Sequence, residues 1–254
     1  MDLKFKERFL ALWNRYFEGA DLPITCFYTP EAGALEVVAP PTGHRCLIAD
    51  LARVRAGHSL CFEAASVGCG GGQRYLGFTQ ELAPNFEYFL SCGIPGKMEG
   101  ERYKKSPELV RELLRQAPTF QAPARFIVFK RWDQLEADDE PEIVIFFAPP
   151  DVLAGLFTLA NFEEADPYGV IAPFSAGCGS IVQYPYLEKA SERPRAVLGM
   201  FDVSARPCVP AGVLSFAVPI PKFLRMVEDM EQSFLITASW EKVQRWIQRP
   251  AQTP

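Results

Sequence analysis

Residues 124–160 read ARFIVFKRWDQLEADDEPEIVIFFAPPDVLAGLFTLA, and this stretch decides the fold class. Two runs within it, Ala124–Lys130 and Glu142–Phe147, are dense in the β-branched and aromatic side chains that fill a pleated surface. A polar, acidic segment around Ala137–Pro141 separates them, so the runs predict a central hairpin or neighbouring strands. Asp151–Ala160 then turns helical. The most apolar window, Ile143–Phe162, is about long enough to span a bilayer, but Pro149, Pro150 and Asp151 break it in the middle. It therefore reads as strand, turn and helix. The expected architecture is α+β: a single domain over residues 1–254 with a mixed, mainly antiparallel sheet covered by helices.

Working outward, Phe5, Phe9, Leu12, Trp13, Tyr16 and Phe17 recur at helical spacing before Gly19, which predicts an amphipathic first helix. Ile24–Thr29 and Leu35–Val38 read as extended, Arg45–Ala56 as helix closed by Gly57, and Leu60–Ala64 as strand. Ser106-Pro107-Glu108 opens a helix to about Gln116: the serine caps free amides, proline fits the first turn, and glutamate suits the positive end of the dipole. Tyr168–Ile171, Arg195–Val203 and Val213–Ile220 read as extended, and Pro221 begins another helix. Ser239 is the expected cap of the last one, which carries Trp240, Val243, Trp246 and Ile247. The first and last helices are expected to close the exposed faces of the sheet with their aromatic stripes.

Composition removes several function classes. Hydrophobic residues make up 48% of the chain and charged residues 22%, enough to bury a core and too apolar for a disordered chain. The 18 glycines and 22 prolines argue against an all-helical bundle. Net charge is −5 and the basic residues are scattered, so the footprint of nucleic-acid binding is missing. Charges run through the apolar residues of the first segment, unlike a signal peptide, and a cytoplasmic protein with no membrane partner is expected. Seven cysteines, none at Cys-Xaa-Xaa-Cys spacing, predict reduced thiols rather than a disulfide framework.

Chemistry is expected at two cysteine–glycine segments. Gly68-Cys69-Gly70-Gly71-Gly72 removes the steric bar to positive φ and exposes backbone amides, as a close-approach loop or an anion-binding nest requires. Amides around Cys69 would stabilise its thiolate and suit it to nucleophilic, redox or metal-ligand roles. Ser175-Ala-Gly-Cys178-Gly179-Ser180 is a second thiol among small residues. The two together suggest a site lined by Cys69 and Cys178, chemically suited to a soft metal, an iron–sulfur cluster or a redox cofactor. Four thiols are usual for a cluster, so Cys92 or Cys61 would have to be recruited. Arg74, Arg195 and Arg206 lie beside these segments as candidates to meet an anionic ligand. His44-Arg45-Cys46 and His58-Ser-Leu-Cys61 match no zinc signature, and the glycine spacing after Gly68 fails the dinucleotide fingerprint at Gln73.

Two segments echo each other. Asp50-Leu51, a helix, an extended run, Cys69-Gly70 and Tyr75–Phe78 follow the same order as Asp151-Val152, a helix, an extended run, Cys178-Gly179 and Val197–Phe201. Half-repeats over 22–95 and 124–220 are the corresponding hypothesis.

Cys69–Gly77, the strand-to-helix join Pro141–Asp151, the Ala176-Gly-Cys178 loop, and Leu198-Gly199 with Arg206 ahead of Val213–Pro219 resemble an uncharacterised bacterial and archaeal family, domain of unknown function 169. The resemblance spans most of the chain and implies that Cys69 and Cys178 belong to one site. It carries no activity with it. The leading expectation is a protein that binds a small molecule or redox cofactor in a glycine-lined pocket formed by Cys69, Gly70, Gly71, Gly72, Arg74, Cys178, Gly179 and Arg206. Cys69 and Cys178 are the candidate metal ligands. Haem, flavin, iron–sulfur, corrinoid or no cofactor are equally open, as is catalysis itself. One alternative is a thiol-dependent enzyme with Cys69 as nucleophile or redox centre. Another is an interaction module, with a homo-oligomer covering the Phe9, Trp13 or Trp246 stripes.

Overall fold

The computed structural model describes residues 1–248. Its strands are β1 (Ile24–Thr29), β2 (Leu60–Phe62), β3 (Phe126–Arg131), β4 (Ile143–Ala148), β5 (Val170–Ile171), β6 (Ala196–Gly199) and β7 (Leu214–Pro219). They form one open sheet in the order β2-β3-β1-β4-β7-β6-β5, antiparallel throughout except for the β5–β6 pair at one edge. The helices are α1 (Leu3–Tyr16), α2 (Leu47–Arg55), α3 (Gly70–Tyr75), α4 (Phe86–Phe89), α5 (Pro107–Gln116), α6 (Pro150–Ala160), α7 (Tyr184–Glu188), α8 (Ile220–Asp229) and α9 (Ala238–Ile247). The α+β class and the mainly antiparallel sheet are as the sequence implies.

The runs that decided the class are not each other's neighbours. β1 inserts between β3 and β4, pairing Cys26 with Phe129 on one side and Ile24 with Ile145 on the other. An unbroken apolar run such as Ile143–Ala148 marks a strand covered on both faces, and it carries no information about which strand lies alongside. Here the alternation of the pleat sorts it: Val144, Phe146 and Ala148 join one core, while Ile143, Ile145 and Phe147 join the other.

The first core lies under α1, α6, α8 and α9. Contrary to expectation, the first and last helices share this one face, and α2, the Cys178 segment and residues around α3 cover the other. Phe9 and Trp13 are consumed in the packing, with Trp13 stacked on Phe17 at 4.4 Å, so neither offers a surface to a partner; Trp246 remains exposed. Trp240 reaches back to donate its indole N–H to the Tyr16 carbonyl at 3.0 Å. That approach needs Gly155, where a Cβ would sit 2.4 Å from Trp240 Cη2 and 2.9 Å from Phe17 Cε1. Gly155→Ala should therefore cost about 1–3 kcal/mol by overpacking, read as a lower denaturation midpoint with unchanged slope. The cap of α9 is Thr237 rather than Ser239, its hydroxyl accepting from Trp240 N–H.

Strand order around the β1–β4 centre is symmetric. β3 flanks β1 as β7 flanks β4, and β2 lies outside β3 as β6 lies outside β7. The helices after the two central strands break that pattern, since α2 packs on one face of the sheet and α6 on the other.

Candidate functional site

The Cys69 segment is a helix, not a loop. None of Gly68, Gly70, Gly71 or Gly72 has a positive φ, and residues 70–75 form α3 with Cys69 as its N-cap. The Cys69 Sγ accepts the Gly72 N–H at 3.1 Å, Gln73 N–H bonds the Cys69 carbonyl at 3.0 Å, and Leu76 N–H bonds the Gly72 carbonyl at 2.9 Å. The expected left-handed, open loop is thus absent. Three successive glycines disfavour a helix by about 0.5–1 kcal/mol each, so packing must hold it. The glycines serve closeness instead: a Cβ on Gly72 would lie 2.8 Å from Val67 Cγ1, and one on Gly68 would lie 2.6 Å from Pro41 Cγ. Gly68 also accepts the Arg45 N–H at 3.4 Å, which ties the segment before α2 to the Cys69 turn.

Cys178 opens a π-helical turn, Gly179–Gln183, all of it buried. Such turns are rare and occur frequently at functional sites. A Cβ on Gly179 would lie 3.0 Å from the Tyr75 ring, so the Cys178 turn rests on α3. On its other side Gly177 N–H donates to Asp202 Oδ2 at 3.1 Å, and Asp202 Oδ1 accepts from the Ser204 hydroxyl at 2.8 Å. β6 stops at Met200, whose φ of 65° is left-handed, a strained conformation for so bulky a residue. That turn sends the chain over the Cys178 segment, where the Met200 sulfur and Ile48 crowd Gly177.

Two of the thiols around this junction are held in their protonated form. Burial pushes Cys178 well above the usual thiol value, with added opposition from the Cys69 and Cys46 thiols and Asp202. Cys208 is pushed up to about 11 by burial first, and then by the Cys46 thiol and Asp202. The Tyr75 hydroxyl is raised too, through burial first and then Cys178, Tyr184 and Asp202, against a lowering by Arg74. Two of the five buried side-chain polar atoms without a partner among the described residues, Ser175 Oγ and Ser215 Oγ, belong here. Ser175 Oγ would meet a Cβ on Gly179, while Ser215 Oγ and Ser180 Oγ both face Gly199.

Of the sequence candidates, Cys69, Gly70, Gly71 and Gly72 lie in α3 and its cap, and Gly179, in the Cys178 turn, rests on the Tyr75 ring of that helix. Arg74 and Arg206 instead tether the chain, donating to the Gln80 and Val213 carbonyls. Arg195 pairs with Glu188. Cys92 is exposed, Cys26 and Cys61 lie inside the sheet, and His44 and His58 are on the surface. Met200 and Asp202 carry no motif in the sequence, and only the three-dimensional path brings them to Gly177. Among the described residues no three His, Cys, Asp or Glu side chains converge as a metal site. An open cavity of about 480 Å³ lies along Cys92–Arg102, and Tyr103 beside it faces Ser204.

The arrangement orders thiol reactivity. Toward a neutral alkylating reagent Cys92 should react first, and Cys178 and Cys26 at least about tenfold slower because burial keeps them protonated and covered. Peptide mapping after graded alkylation reads the order directly.

The fold defines a class: an open-sheet, mainly antiparallel α+β protein in which the Cys178 turn packs on the helix capped by Cys69. The chain belongs to domain of unknown function 169 (DUF169), whose model, described as an uncharacterised ArCR, matches residues 17–229. No curated protein and no solved structure matches it. No helix among the described residues is long and apolar enough to cross a membrane.

Proposed function

We propose that the chain is a cytoplasmic protein that binds a small molecule or redox cofactor where Cys69 and Cys178 meet. What supports the reading is the packing of the Cys178 turn on α3, the helix that Cys69 caps, with the Met200 thioether against Gly177 and two buried hydroxyls that lack partners among the described residues. A ligand with acceptors or donors would satisfy Ser175 and Ser215, since a buried hydroxyl left unpaired costs about 1–3 kcal/mol. Sulfur donors favour soft, polarisable groups, and a metal would have to draw the thiols together. Anaerobic purification followed by an absorption spectrum and metal analysis tests the reading. A co-purifying chromophore, metal or organic ligand supports it; a colourless, metal-free and ligand-free protein counts against it.

A second reading, Cys69 as nucleophile or redox centre of a thiol-dependent enzyme, is favoured by its position. It is the partly exposed thiol of the pair, and it caps α3 with its sulfur on the Gly72 amide. Selective alkylation separates the two readings: if Cys69 reacts no faster than a free thiol at any pH, the catalytic version fails.

A further inference from the structure

We propose that the cavity along Cys92–Arg102 binds a small, multiply charged anion, which Lys97, Arg102 and the backbone amides between them hold by charge and hydrogen bonds. The cavity measures about 480 Å³, within the range of sites that take small molecules, and shares no lining residue with the Cys69 and Cys178 segments. Its wall carries three charges, Lys97, Glu99 and Arg102, and therefore an excess of one cation. Neither Lys97 nor Arg102 forms an ion pair among the described residues, although acidic side chains outnumber basic ones in the chain. Lys104 and Lys105 follow closely and make this stretch locally positive in an otherwise acidic protein. Lysine and arginine are the side chains that recognise phosphate and carboxylate groups, arginine by paired hydrogen bonds. The amides of Gly96, Glu99 and Gly100 donate to no backbone carbonyl among the described residues and add donors along the same wall.

This wall is built before any ligand arrives. Ile94 and Met98 exchange both of their backbone hydrogen bonds, at 2.8 and 2.9 Å, while Glu101 N–H donates to the Phe89 carbonyl at 2.7 Å and Arg102 N–H to the Ser91 carbonyl at 3.0 Å. Gly93 and Gly100 pass so closely that a Cβ on Gly93 would lie 2.5 Å from the Met98 carbonyl oxygen and 2.6 Å from the Gly100 nitrogen. Arg102 is held at a φ of 56°, a left-handed conformation that an arginine keeps only where its surroundings fix it. Donors ordered in advance lose less freedom when a ligand binds. Phosphate and carboxylate groups both suit them, and the shared chemistry is two or more negative charges on a compact molecule. Glu99 repels such a ligand, so neutralising it strengthens binding. The proposal stands apart from any ligand at Cys69 and Cys178.

Cys92 lies on the same wall, is exposed, and so reports occupancy. The test alkylates the reduced full chain with iodoacetamide, a neutral reagent, in the presence of pyrophosphate or citrate at constant ionic strength, and follows each cysteine by peptide mapping. Cys92 should slow by at least about fivefold once the anion exceeds its dissociation constant several-fold, with Cys69 unchanged. Tighter protection by pyrophosphate marks a phosphate-bearing ligand, and tighter protection by citrate a carboxylate-bearing one. Lys97→Gln and Arg102→Asn, the second chosen because asparagine accepts left-handed backbone, should each raise the half-protecting concentration about tenfold, while Glu99→Gln lowers it. Alkylation of Cys92 that millimolar amounts of either anion leave untouched overturns the proposal, as does protection that survives in the Lys97→Gln, Arg102→Asn double variant. Slowing of Cys69 as large as that of Cys92 overturns it too, and leaves the Cys69–Cys178 reading standing.

Discussion

Replacing Lys130 with methionine should lower stability by about 3–5 kcal/mol, the usual consequence of removing one partner of a buried ion pair. The Lys130 side chain, on β3, is only 4% exposed and its Nζ donates to Asp139 at 2.9 Å and to Glu136 at 2.9 Å. Asp139 is itself 8% exposed and also accepts the Glu136 N–H at 2.7 Å. Methionine preserves the length and apolar stem of the lysine, so the loss isolates the stranded carboxylate. The double variant Lys130→Met with Asp139→Leu should recover much of it, because no unpaired charge then stays inside. Burial pulls the Lys130 ammonium down, but its hydrogen bonds to Asp139 and Glu136 outweigh that and leave it raised. A cation raised on folding contributes stability below its unfolded value, and that contribution fades as pH climbs through the folded value. The wild type should accordingly lose stability in strongly alkaline solution more steeply than the double variant, as chemical denaturation at several pH values would show.

Gly199→Ala should cost about 3 kcal/mol, or roughly 6–12 °C in melting temperature. A Cβ there would lie 2.3 Å from Ser180 Cβ, 2.2 Å from Ser180 Oγ and 2.9 Å from Ser215 Oγ. The first of these atoms is fixed to the backbone of the π-helical turn, so no rotamer relieves the clash. Ser180 also ties the strand end to the Cys178 turn, donating to the Gly177 carbonyl at 2.8 Å and accepting Met200 N–H at 3.4 Å. Adding Ser180→Gly to Gly199→Ala should restore a good part of the lost stability, a coupling that a double-mutant cycle measures. Additive losses would mean that β6 and the turn do not press on each other at this point.

Fold class was legible because local patterns and tertiary burial agree over β3, β4 and α6. The Ser106 cap behaves as its residue type implies, its hydroxyl accepting Leu109 N–H. Strand order was not legible: β4 is apolar on both faces, and such a run says only that both faces are covered. The Cys69 segment misled because glycine permits a left-handed loop and close packing alike. Here crowding by Val67 and Pro41 decided for packing. Met200 and Asp202 carry no local signal, and only the path of the chain brings them to the Cys178 turn. The symmetric strand order would match β1, β2 and β3 with β4, β6 and β7, whereas half-repeats over 22–95 and 124–220 place β3 in the second unit, and α2 and α6 lie on opposed faces, so duplication with those bounds is a proposal and not a finding.

Native mass spectrometry of anaerobically purified wild type beside Cys69→Ser and Cys178→Ser tests the central claim most directly. The account predicts an added mass on the wild type that is lost or sharply reduced in both variants while each remains folded by circular dichroism. A bare wild-type mass, or an adduct retained in full by both variants, would contradict it.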